Sequence, residues 1–114
     1  MSRRIEKINE VLKRELGQII LENVDFGRNV LITISRVDTA PDLSGAKIYV
    51  SVLPESFSKE IMEILQKKNH IIQKEINKIM EIRKIPKLLF CEDISFKKAA
   101  HIDELLKEIQ DKAR

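Results

Sequence analysis

Hydrophobic positions recur with helical spacing near the start of the chain. Ile5, Ile8, Leu12, Leu16, Ile19 and Ile20 fall on one face, with Ser2 placed to cap the helix. The helix is predicted to end near Asn23, where DFGRN supplies turn chemistry. Val30–Val37 then reads as a strand, with Val30, Ile32 and Ile34 alternating against Leu31, Thr33 and Ser35. TAPDLSG is a loop of hairpin size. A second strand, Ala46–Leu53, places Ala46, Ile48, Val50 and Val52 on one face. The short loop predicts an antiparallel pair.

Helical spacing resumes after PESFS, with Ser56 or Ser58 as the expected cap. Ile61, Ile64, Leu65, Ile72, Ile76, Ile79 and Met80 keep the period to about Ile82. One turn, Lys67-Lys68-Asn69-His70, interrupts the stripe. Local propensity tolerates one long helix, but the interruption points to two helices joined by a kink. Ile85-Pro86 ends the helical structure, and Leu88–Ser95 reads as a third strand. From about Lys98, Ala99, Ile102, Leu105, Leu106 and Ile109 form a stripe that suits a tail helix.

The expected order is therefore α-β-β-α-α-β plus the tail. It describes an α+β domain with a small three-stranded sheet covered by helices on one face. Residues 1–97 form the expected domain, and 98–114 its helical tail.

Composition narrows the class. The chain has 114 residues, 43% hydrophobic and 34% charged, which suits one globular domain. A lone Cys91 excludes an internal disulfide. The charged N-terminus and the lack of a long apolar run predict a cytosolic protein with no membrane association.

Charge changes the picture more than composition does. The net charge is +3 overall. Yet residues 66–87 alone hold Lys67, Lys68, Lys74, Lys78, Arg83, Lys84 and Lys87 against only Glu75 and Glu81. A solvated helix surface would account for such a run. A phosphate-binding surface accounts for its unevenness as well. If a helix starts at Lys67-Lys68, its free backbone N–H groups would also face phosphate. With four Phe, one Tyr and no Trp, base stacking is a poor candidate, and backbone and shape readout fits better.

Catalysis and metal binding are not expected. His70 and His101 have no metal-ligand spacing with Cys91. Glu60/Glu63 and Asp103/Glu104 sit at predicted helix starts, where carboxylates suit the dipole. No nucleotide-binding or hydrolase motif occurs, and neither a cofactor nor a small-molecule substrate is expected.

Several motifs in order resemble one family. KINEVLKRELGQII carries Arg14-Glu15-Leu16, and Arg28 follows at a turn. ITISRVDTAPDLSGAKIYVSVL carries Asp42, Leu43, Ala46, Tyr49, Val50 and Ser51. IRKIPKLLFCEDIS carries Arg83, Pro86, Leu88, Phe90 and Asp93. From about Lys7 to Leu106 the chain resembles the ribosome-binding factor A family of bacteria. It departs from the family pattern at Phe26-Gly27, in place of Asp-Pro. It departs again at Lys68-Asn69-His70, in place of the Ala-x-Gly at the family's interhelical kink.

The resemblance implies a type II KH-like fold and a monomer that binds the immature small ribosomal subunit through its rRNA. It also implies a role in late rRNA processing and subunit maturation, notably in the cold. The expected phosphate contacts are Lys67, Lys68, Lys74, Lys78, Arg83, Lys84 and Lys87, with Asn69 and His70 at the kink. Arg3, Arg4, Lys7 and Arg14 on the first helix form a second rank. Arg83 has an alternative role, pairing with Glu92 or Asp93. Two other readings stand beside this one: a general single-stranded nucleic-acid module with a KH-like fold, and a protein-interaction or dimerisation domain.

Overall fold

The structure is a computed structural model, which describes residues 3–27 and 29–94. The Ser2 cap, Arg28, Ser95 and the tail helix expected over 98–114 lie outside the described residues.

The first helix, α1 (Arg3–Asn23), forms where the apolar spacing places it. It buries Ile8, Leu12, Leu16, Ile19 and Ile20. Strand β1 (Leu31–Thr39) pairs antiparallel with β2 (Gly45–Leu53). A 3₁₀ turn at Glu55–Phe57 leads into α2 (Ser58–Ile79), and the chain returns as β3 (Lys87–Glu92), parallel to β2. The sheet order is β1-β2-β3. A parallel neighbour requires a crossover, and α2 provides it.

The core lies between one face of the sheet and the two helices. Ala46, Ile48, Val50 and Val52 point into it from β2, and Leu88 and Phe90 from β3. Leu12, Leu16, Leu65, Ile72 and Ile76 meet them from the helices with no exposed surface.

Three features differ from the sequence pattern. First, a bulge interrupts the β1–β2 register between Ile34 and Arg36. The extra residue, Ser35, shifts the alternation by one, so Ile34, Val37 and Thr39 all face inward. Thr39 is buried and satisfied by α1: its backbone N–H and hydroxyl both donate to Asn9 Oδ1, at 3.1 and 2.6 Å.

Second, α2 is one continuous helix through Lys67–His70, not two helices joined at a kink. Its interior amide groups are spent on intrahelical bonds, so no free N-terminus exists at Lys67-Lys68. Third, neither serine caps α2. The N-cap is Phe57, with no side-chain hydrogen bond, and the Ser58 hydroxyl is buried without a partner.

The β1–β2 loop is built on a turn in which Leu43 N–H donates to Ala40 O at 2.9 Å. Leu43 itself has φ 61°, a costly conformation for a branched side chain. Packing of that side chain against the core offsets the cost. Asp42 accepts the Ser44 N–H at 3.0 Å, the Asx geometry of a loop residue. Hydrogen bonding from Ser44, first through its side chain and then its backbone, holds the Asp42 carboxyl below its usual value, with a smaller contribution from the charge of Lys84.

Gly17 sits inside α1, and a Cβ built there meets nothing within 4 Å. A mid-helix glycine costs roughly 1 kcal/mol relative to alanine. Gly17→Ala is therefore expected to stabilise the domain by about that amount, read as a higher denaturation midpoint with an unchanged m-value.

Candidate nucleic-acid interface

The outward face of α2 carries a charge gradient along its length. Glu60, Glu63, Lys67, His70, Lys74 and Lys78 follow one another at intervals of three or four, so they form one stripe. The stripe is acidic in its first half and basic in its second. From Lys67 to Lys78 it spans about 16 Å at 1.5 Å per residue. All four residues of the basic half are exposed, and Lys68 is exposed beside them. Lys78 also lies in the last turn, where a cation suits the helix dipole.

The segment between α2 and β3 extends this surface. Arg83, Lys84 and Lys87 are exposed, while Pro86 between them is fully buried and fixes the entry to β3. Arg83 forms no ion pair with Glu92 or Asp93. The Asp93 carboxylate instead accepts from the bulged Ser35 hydroxyl, and Asp93 N–H bonds Val50 O at 2.8 Å. Among the described residues, one cation of the basic stretch is matched: Lys78 pairs with Glu75 at 3.5 Å.

Asn69 does not belong to this surface. It is half-buried, and its Nδ2 donates to Leu88 O at 3.1 Å. One turn further on, Gln73 Nε2 donates to Pro86 O at 3.1 Å, and Gln73 Oε1 accepts Leu88 N–H at 2.9 Å. The two amides, spaced i and i+4, clamp both polar backbone groups of Leu88 on the side of β3 away from β2. They satisfy part of a sheet edge that water or another strand would otherwise occupy. Gln73 carries no charge, so a charge pattern does not single it out. Its signal was an amide next to Ile72 on the buried side of the helix.

The α1 cations divide into two places. Arg3, Arg4 and Lys7 lie beside the end of α2, around a groove that includes Ile79 and Ile82. Arg14 is drawn to Glu15, with Nε 3.3 Å from Oε1, and lines a separate groove between α1 and β1.

Among the described residues no group of His, Cys, Asp and Glu is arranged to hold a metal ion. Among them too, no helix is long and apolar enough to cross a membrane. Among the described residues, seven Lys and Arg side chains from Lys67 to Lys87 form one exposed cationic surface, with His70 among them.

The model of the family described as ribosome-binding factor A matches residues 4–106. A ribosome-binding factor A from Desulfitobacterium hafniense is 34% identical over 108 residues, covering 94% of this chain and 86% of the relative. The solution structure of a Thermotoga maritima protein assigned to the same family is 26% identical, with a TM-score of 0.68 over 82% of this chain and 90% of that one. A Thermus thermophilus ribosome binding factor A homology model, fitted into a cryo-EM map of its 30S complex, has a TM-score of 0.61. It is 23% identical and covers 75% of this chain and 91% of that chain, a likeness of fold.

Proposed function

Since the chain belongs to the ribosome-binding factor A family, we propose that it binds the immature small ribosomal subunit through rRNA. There it assists late rRNA processing and subunit maturation, including in the cold. It acts in the cytoplasm as a monomer, by binding and not by catalysis. Attachment works by population shift: an rRNA conformation that the protein binds more tightly than its competitors becomes the dominant one.

The observation that carries this reading is the cationic surface running from the second half of α2 into β3. Lys67, Lys68, His70, Lys74, Arg83, Lys84 and Lys87 are all exposed, and among the described residues none of them has an ion-pair partner. Lys78 shares its charge with Glu75. Cations held on a rigid helix and a proline-fixed turn contact phosphates without reading sequence, so selectivity rests on the shape of the folded RNA.

Co-sedimentation with isolated small subunits tests the reading, with large subunits and an unstructured RNA as controls. Binding selective for small subunits that survives near-physiological salt is expected. Equal binding to all three that vanishes with salt would reduce the surface to a general phosphate binder.

A further inference from the structure

The start of α1 and the end of α2 meet around an open groove of about 600 Å³. Its floor is aliphatic: Ile8, Val11, Ile79, Met80 and Ile82. Ile8 and Met80 are buried, but Ile79 keeps 44% of its surface exposed and Val11 and Ile82 are half-exposed. The rim holds Arg3, Arg4 and Lys7 against a single anion, Glu81.

Two features of this rim ask for a partner. Arg3 and Arg4 occupy the first turn of α1, where the helix dipole disfavours positive charge. Among the described residues, neither they nor Lys7 has an ion pair to offset that cost. The charges therefore weaken the helix that carries them, and an anionic ligand would reverse the sign of that effect.

The floor decides what kind of ligand. A nucleobase seated in the groove would bury several donors and acceptors against five aliphatic side chains, leaving them unsatisfied, and no aromatic ring is present for stacking. Aliphatic side chains carry no such penalty. A short helix with apolar residues on one face and carboxylates beside them matches floor and rim together, the helix-in-groove mode of recognition.

We propose that this groove is a protein-docking site, separate from the rRNA surface, for an acidic amphipathic segment of a protein in the small-subunit particle. The inference rests on the small-subunit reading above. Its ligand differs from that of the α2 surface: one groove holds protein while the neighbouring stripe holds RNA.

The test places a diazirine side chain at Ile79 and irradiates the full chain bound to small subunits, after co-sedimentation of the unsubstituted protein. The expected product is a cross-link to a protein, mapped to an acidic, apolar-rich segment. Arg3→Glu, Arg4→Glu and Lys7→Glu together should cut its yield by about tenfold or more, since like charges then face each other. Because carboxylates suit the first turn of a helix, these changes leave α1 folded. A cross-link to rRNA, or none while co-sedimentation persists, would overturn the inference. Failure of the unsubstituted protein to co-sediment would instead overturn the small-subunit reading, and this inference with it.

Discussion

Replacement of Lys67, Lys68, Arg83 and Lys84 by Gln should remove small-subunit binding at near-physiological salt while leaving the fold intact. All four side chains are exposed, and none forms an ion pair with a described carboxylate. Four lost phosphate contacts at about 1 kcal/mol each weaken binding by roughly a thousandfold. The slope of log affinity against log salt should flatten by about 3 units, the signature of lost counterion release. Thermal stability should stay within about 0.5 kcal/mol, because these groups support nothing inside the domain. Lys47→Gln and Lys59→Gln provide the contrast. They alter exposed cations on β2 and at the acidic end of α2, and binding should persist. Undiminished binding by the fourfold variant would place the RNA contact elsewhere on the molecule.

The second large effect is on stability. Asn69→Ala together with Gln73→Ala should destabilise the domain by about 3 kcal/mol, a substantial part of the 5–15 kcal/mol that a domain of this size commands. Three hydrogen bonds to the β3 segment disappear: Asn69 to Leu88 O, Gln73 to Pro86 O, and Leu88 N–H to Gln73, along with an exposed one from Gln73 Nε2 to Asn77 Oδ1. The cost exceeds that of a surface change because the backbone groups of Leu88 stay behind in a partly buried place without partners. Denaturant unfolding measures the loss, and faster hydrogen exchange at the Leu88 amide locates it. An unchanged midpoint would mean that β3 is held by its pairing with β2 and by Phe90 and Leu88 in the core, with the amides contributing nothing.

The clamp also shows what a linear pattern conceals. Lys67, Lys68, Asn69 and His70 look like a break because four polar residues in a row interrupt an apolar stripe. In a continuous helix they point in four directions. Lys67, Lys68 and His70 face solvent, while Asn69 turns toward β3 and finds a carbonyl there. The pattern registers polarity, but the backbone partner that makes polarity acceptable arrives from a distant segment. In this chain Asn69 ties the continuous helix to the sheet.

Other elements were legible because burial repeats along them. The α1 stripe names all five buried residues of the helix, with Ile5 only half-buried, and the alternation in β2 names its four, since one flat core face selects every second strand position and every third or fourth helix position. In β1 the same logic fails past Ile34. The bulge at Ser35 moves Val37 inward, and nothing in ITISRV marks the extra residue.

Charge was legible as a count but not as an arrangement. Seven basic residues in one stretch signal a surface: α2 displays four of them, and the segment running into β3 displays Arg83, Lys84 and Lys87. Lys78 is shared with Glu75 and Arg14 with Glu15 through side-chain placement along each helix, and the ring of Arg3, Arg4 and Lys7 around an apolar groove depends on how α1 and α2 cross.

The central claim is that small-subunit rRNA lies against the second half of α2 and the turn before β3. Lysine footprinting tests it most directly: amine modification of the free protein and of its complex with small subunits, read residue by residue. Protection of Lys67, Lys68, Lys74, Lys84 and Lys87 is expected, with Lys47 and Lys59 as reactive as in the free chain. Protection of Lys47 and Lys59 with the α2 and β3 lysines still reactive would contradict it.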